Sequence, residues 1–154
     1  MRAALLLPVL LLAGCAQHAA MPPPRASADT MVPGWITPAE AVIAANEDPQ
    51  RGISGTFVFT VKNTDVADDR LYLNSERDYR HQTALNVIMD ATQREALQKQ
   101  LGMPIERLVN RRLLVQGTAR RTTIAFTHDG APTGKYYFQT QVSVSDPRQV
   151  RFAP

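Results

Sequence analysis

Three regimes of apolar and polar positions follow one another along the chain. The first fourteen residues, "MRAALLLPVLLLAG", are an almost unbroken apolar run behind the single basic residue Arg2. Residues 16–34, "AQHAAMPPPRASADTMVPG", hold few large apolar groups. From Trp35 onward the apolar residues recur with the periods of helices and strands. This order predicts an export signal over 1–14, a tether over 15–34 that cannot build a core, and a folded domain over 35–154. The leading run is shorter than the roughly twenty apolar residues of a permanent membrane-spanning helix. Pro22, Pro23 and Pro24 stiffen the tether locally into an extended spacer.

Within the domain, Thr37-Pro38-Ala39-Glu40 is a capping box with proline at the first helical position, so a short helix is expected from there to about Asn46. Ile36, just before the cap, is placed to staple onto Ala41 or Val42. The stretch "NEDPQRG" ends that helix, and the period then becomes two. A first strand is expected over Gly55–Lys62, a turn at "NTDVADD", and a second strand at "RLYLNS" with Leu71 and Leu73 on one face and Tyr72 and Asn74 on the other. "ERDYRH" links to a third strand, "QTALNVIMD", in which Leu85, Val87 and Met89 share a side.

A helical stripe follows, Ala91, Ala96, Leu97 and Leu101, closed by Gly102 as C-cap and by Pro104. "IERLVN" adds a helical turn. A long fourth strand is expected over 111–126 with a bend or bulge at Gly117, then a flexible connection "THDGAPTG", then a last strand, "KYYFQTQVSVSD". Trp35 is expected to pack across the mouth of the domain.

This order makes the fold mainly β: a five-stranded OB-fold-like barrel with a short N-terminal helix and a helix between strands 3 and 4. A β-sandwich needs more short strands and lacks so long a helix at mid-chain.

Leu12-Ala13-Gly14-Cys15 resembles the lipobox of bacterial lipoproteins. The resemblance implies that Cys15 becomes the first mature residue and carries the lipid, and several acyl chains hold a protein at a membrane where one is marginal. Ala16 after the cysteine implies sorting to the outer membrane, on its periplasmic face. Cys15 is the single cysteine among 154 residues, which excludes a disulfide framework and a thiolate metal cluster.

The domain also resembles small OB-fold proteins of bacterial envelopes that are related to nucleic-acid-binding barrels. The matching positions begin with Thr37, Glu40 and Ala41 in the first helix and Gly55, Val58 and Val61 in the first strand. They continue through Asp69, Leu71, Leu73 and Asn74, then Asp78, Tyr79 and Arg80, then Val87 and Met89, and end at Leu108, Leu114, Val115 and Gly117. Asn110 stands where the family has a glycine. These are barrel-forming positions, so what they imply is a fold, and function only by analogy.

Loss of Arg2 with the signal leaves 16 basic residues from 17, against 14 acidic ones, so the mature chain is close to neutral and arginines alternate with acids. A dedicated nucleic-acid binder shows a concentrated basic face instead. The densest mixture of cations and aromatics lies between Arg70 and Met89. Tyr72 and Tyr79 offer faces for stacking, Arg70, Arg77 and Arg80 offset phosphates, and Asn74 lies among them. On the fourth strand Arg112 and Arg121 extend the charge, with Arg111 and Arg120 beside them, although neighbouring strand residues point to opposite faces.

The plainer alternative makes this cluster a solvated hairpin link, with Tyr79 plugging a barrel end and Asp78 or Glu76 pairing with an arginine. Asp65, Asp68 and Asp69 with Arg77 and Arg80 offer a remote likeness to a thermonuclease-type phosphodiesterase site. His81 and His128 lack metal-ligand spacing, and neither a nucleophile elbow nor a phosphate loop or dinucleotide fingerprint is present. The expectation is a non-enzyme without cofactor or metal, a binding or structural module for an unidentified envelope protein or cell-wall component, tied to the membrane by lipid. Binding of single-stranded nucleic acid or another anionic polymer is the alternative.

Overall fold

A computed structural model describes residues 34–154. The expected signal over 1–14, the lipid site at Cys15 and nearly all of the tether lie outside the described residues.

Trp35 and Ile36 form a two-residue strand, β1 (Trp35–Ile36), parallel to β2 (Ile53–Thr60). Between them runs α1 (Pro38–Glu47). Its capping box is formed as the sequence predicts: the Glu40 N–H donates to Thr37 Oγ1 at 3.4 Å and the Thr37 N–H donates to Glu40 Oε2 at 2.7 Å. Ala41 and Ala45 are its buried positions.

The segment expected as a turn after β2 is instead a strand, β3 (Asn63–Ala67), antiparallel to β4 (Arg70–Asn74). The turn is confined to Asp68 and Asp69, at φ 50° and 57°. Asn and Asp are poor strand formers, and pairing with β4 overrides that preference. β4 pairs antiparallel with β5 (Leu85–Asp90), which starts three residues later than predicted because Gln82 to Ala84 close the linking turn.

A 3-10 turn at Ala91–Gln93 leads into α2 (Arg94–Leu101), which ends on Gly102 at φ 68°, the expected left-handed cap. Leu97 and Leu101 face the core, whereas Ala96 is exposed and does not belong to the stripe. Ile105–Leu108 add a 3-10 turn and bury Ile105 and Leu108. Asn110 then takes φ 67°. The position where the resembled family has glycine therefore needs a left-handed backbone, and asparagine is among the few other residues that accept it.

β6 (Arg112–His128) and β7 (Ala131–Val144) make one long hairpin. The flexible connection expected here is absent: Asp129 and Gly130, at φ 50° and 77°, form a tight two-residue turn of the kind Asp-Gly favours. The irregularity expected at Gly117 lies instead between Ala125 and Thr127. Gly117 sits in regular register opposite Gly55, and it is a place of close approach: an added Cβ would stand 2.7 Å from Val142 Cγ1. A last 3-10 turn at Pro147–Gln149 and β8 (Val150–Phe152), which pairs with β6, were not foreseen.

The molecule is mainly β, as predicted, but its hydrogen-bonded order is an open, mixed eight-stranded sheet, β1-β2-β6-β7-β5-β4-β3, with β8 beside β6. The closed five-stranded barrel was too simple because the first strand is split in two and short strands are added at both ends of the domain. One core gathers Phe57 and Phe59 from β2, Leu71 and Leu73 from β4, Leu85, Val87 and Met89 from β5, Leu113 and Val115 from β6, and Val142 and Val144 from β7. Ala41 of α1 and Leu97 and Leu101 of α2 join it.

Candidate functional site

Strand alternation sends Leu71 and Leu73 to the core and Tyr72 and Asn74 to the opposite face of the sheet. On that face the registers align three amides across three strands: Asn74 of β4 opposes Asn86 of β5, and Asn86 opposes Gln141 of β7. Gln139 and Tyr137 continue the same face along β7. With Asp65 and Asp68 at the edge and Tyr79 from the β4–β5 link, these residues line a cleft of about 230 Å³.

The cleft floor is polar and buried. Asn74 is 2% exposed and Asn86 1%. Asn86 Nδ2 donates to the Tyr79 carbonyl at 3.1 Å, which ties the linking loop to the sheet. The Oδ1 atoms of Asn74 and Asn86 are both buried and accept no hydrogen bond. Along β7, Gln141 Nε2 donates to Gln139 Oε1 at 2.7 Å, and Gln139 Nε2 donates to the Tyr137 hydroxyl oxygen at 3.0 Å. Burial is the main cause that pushes the Tyr137 phenol above its ordinary value, against the opposing pull of Arg80. The Arg80 guanidinium lies over the Tyr79 ring at 4.8 Å and the Tyr137 ring at 5.9 Å.

Of the residues singled out in the sequence, Tyr72, Asn74 and Tyr79 line this cleft, and Arg80 borders it through the two rings. The others do not meet there. Arg70 is exposed at the start of β4, where its charge acts on Asp90. Arg77 lines a separate surface hollow with Lys62, Glu76, Asp78 and His81. Arg112 opposes Thr60 at the beginning of β6, and Arg121 stacks its guanidinium 3.5 Å from the Phe138 ring centroid. Tyr79 is half-buried, and the Asp78 carboxylate accepts the Arg80 backbone N–H at 2.9 Å. The thermonuclease-like set is likewise divided: Asp65 and Asp68 line the cleft, Arg77 does not. Among the described residues no three His, Cys, Asp or Glu side chains come together as a metal-binding group.

Asn86, Tyr137, Gln139 and Gln141 were not foreseen. The signal was there: Asn86 is the one polar residue inside "LNVIM", and "YFQTQVSV" alternates with polar residues on the side opposite Val142 and Val144. That these two faces meet depends on the parallel β5–β7 pairing, which no local pattern announces.

No protein-family model matches the chain, and no curated protein matches it. Among solved structures, a Leishmania major Friedlin chain described as an aspartyl-tRNA synthetase is similar at a TM-score of 0.42 and 10% identity, over 81% of this chain and 22% of that chain. At that level the likeness bears on neither fold family nor function.

Proposed function

We propose that the protein is a non-enzymatic envelope lipoprotein, held by lipid on Cys15 at the periplasmic face of the outer membrane, and that the amide-floored cleft is the ligand site of its domain. One observation carries the binding role: two residues that line the cleft, Asn74 and Asn86, have buried Oδ1 atoms without a hydrogen-bond partner. Each such acceptor costs about 1–3 kcal/mol when left unpaired, and a bound donor removes that cost. A binding role is favoured over catalysis because amides neither take nor release protons at neutral pH. The anchor and the location rest on the Leu-Ala-Gly-Cys pattern and the Pro-rich tether behind it.

We also infer an OB-like closure. Between β2 and β3 stand only Val61 and Lys62. The Val61 N–H donates to the Arg111 carbonyl at 2.9 Å and the Lys62 N–H to the Asn74 carbonyl at 2.8 Å, so this link bonds towards β6 on one side and β4 on the other. Read as one bent strand, β2–β3 joins the far strands of the sheet, and α2 then lies between the third and fourth of five main strands.

A second reading, capture of single-stranded nucleic acid, draws on Tyr72, Tyr79 and Arg80 being together. Asp65 and Asp68 on the same cleft and the dispersal of the other arginines oppose it. One measurement tests the anchor and a second separates the two ligand readings. Labelled palmitate should enter the full chain and be lost in Cys15→Ala. Fluorescence anisotropy of labelled single-stranded DNA with the mature chain should show no saturable binding at near-physiological salt. A regular salt slope that collapses in the Arg77→Ala, Tyr79→Ala, Arg80→Ala variant would favour nucleic acid instead.

A further inference from the structure

Building on the reading of the cleft as a ligand site, we propose that it takes a neutral saccharide unit, a single ring whose hydroxyls hydrogen-bond the amide floor and whose C–H face lies on tyrosine. Asn86 Nδ2 is committed to the Tyr79 carbonyl, so turning that amide over would set oxygen against oxygen, and its Oδ1 is fixed as an acceptor. Asn74 Oδ1 stands on the neighbouring strand in register with it. Residues so paired have Cα atoms only about 4.5–5.5 Å apart. The floor therefore presents one fixed acceptor, Asn86 Oδ1, beside the Asn74 amide, which no hydrogen bond orients and which can turn oxygen or nitrogen to a ligand.

The wall presents the opposite polarity. The Tyr137 oxygen already accepts from Gln139 Nε2, whose own oxygen is taken by Gln141, so the hydroxyl proton of Tyr137 is what remains for a ligand. A tyrosine hydroxyl is protonated at neutral pH, its ordinary pKa being about 10, and burial pushes this one higher still. An ammonium group only donates and a phosphate oxygen only accepts, whereas a neutral hydroxyl does both. Adjacent hydroxyls on one ring match a fixed acceptor, an amide of either polarity and a nearby donor.

Charge and size agree. Asp65 and Asp68 line the cleft while Arg80 covers Tyr79 and Tyr137, so both signs border it and neither a polyanion nor a polycation gains from the whole site. A volume of about 230 Å³ falls below the roughly 300–1,000 Å³ of clefts that enclose drug-sized ligands. One ring fits, and a longer glycan would run out past the edge. Tyr72 and Tyr79 supply amphipathic faces of the kind that pack against C–H groups and still reach water.

The test is saturation-transfer NMR with the mature chain. Glucose, N-acetylglucosamine and a soluble β-1,4-linked N-acetylglucosamine oligomer are the saccharide probes, with spermidine and a short oligothymidylate as charged ones. Transfer to sugar ring protons should be indifferent to salt, and Tyr137→Phe, which deletes only the hydroxyl, should weaken binding about fivefold, the worth of one hydrogen bond. Tighter binding of the oligomer than of the monomers would assign the site to a polymer, and equal binding to a free sugar. Sugar binding unchanged in both Tyr137→Phe and Gln141→Ala would overturn the assignment to this cleft. Binding of spermidine or oligothymidylate there, with no sugar bound, would overturn the saccharide class and leave the ligand site standing. Failure of every probe to touch the cleft would sink both.

Discussion

Asn110 and Tyr137 show how single positions are set by what surrounds them. At Asn110 the backbone geometry demands a residue that tolerates the left-handed region, and the sequence supplies one where a glycine was expected. At Tyr137 the surroundings act on the proton. Burial comes first among the causes raising its pKa, so the folded protein holds this proton more tightly than the unfolded chain. The stability this contributes is complete below the ordinary tyrosine value of about 10 and is lost as pH rises through the higher folded value. Urea midpoints taken between about pH 8 and 11 should fall more steeply for the native chain than for Tyr137→Phe, and equal slopes would show that burial of the hydroxyl does not matter. The sequence made it legible that Tyr72 and Asn74 share a face, since alternation alone decides that. It could not show that Asn74 is buried, because its neighbours across the sheet, Asn63 of β3 and Asn86 of β5, are set by pairing that no local pattern announces.

At the scale of elements, legibility followed locality. The first helix and its cap were readable because Thr37, Pro38 and Glu40 lie within four residues of one another and their bonds are local. The Glu40 carboxyl is held below its ordinary value, chiefly by the Thr37 backbone N–H and then by the Thr37 hydroxyl. Its contribution to stability is therefore present above the ordinary glutamate range and fades as pH falls through the lowered value. Thr37→Ala should cost about 1 kcal/mol near pH 7, with a smaller difference near pH 3, both read from chemical denaturation. A difference independent of pH would mean that Glu40 takes no part in the cap. β3 and the β6–β7 turn were misread for the opposite reason. The Asn-Thr-Asp run is made a strand by a partner, β4, and Asp129-Gly130 is a rigid two-residue turn only once two long strands stand on either side of it.

For the whole molecule, the near balance of 17 basic and 14 acidic residues is matched by a spatial dispersal of arginines, and the cleft that forms instead is lined mainly by amides and tyrosines, with Asp65 and Asp68 at its edge. Further along the sheet, the β6–β7 hairpin exposes Tyr136 at 60% and Phe138 at 44%, a surface separate from the amide floor. Whether Asn74 and Asn86 meet the ligand is read from protein-observed NMR of their side-chain amides. On titration with the N-acetylglucosamine oligomer, the side-chain resonances of Asn74 and Asn86 should move together and saturably while those of Asn46 and Asn63 stay in place. Still resonances at Asn74 and Asn86, with shifts confined to the Tyr136 and Phe138 surface, would show that the amide-floored cleft is not the ligand site.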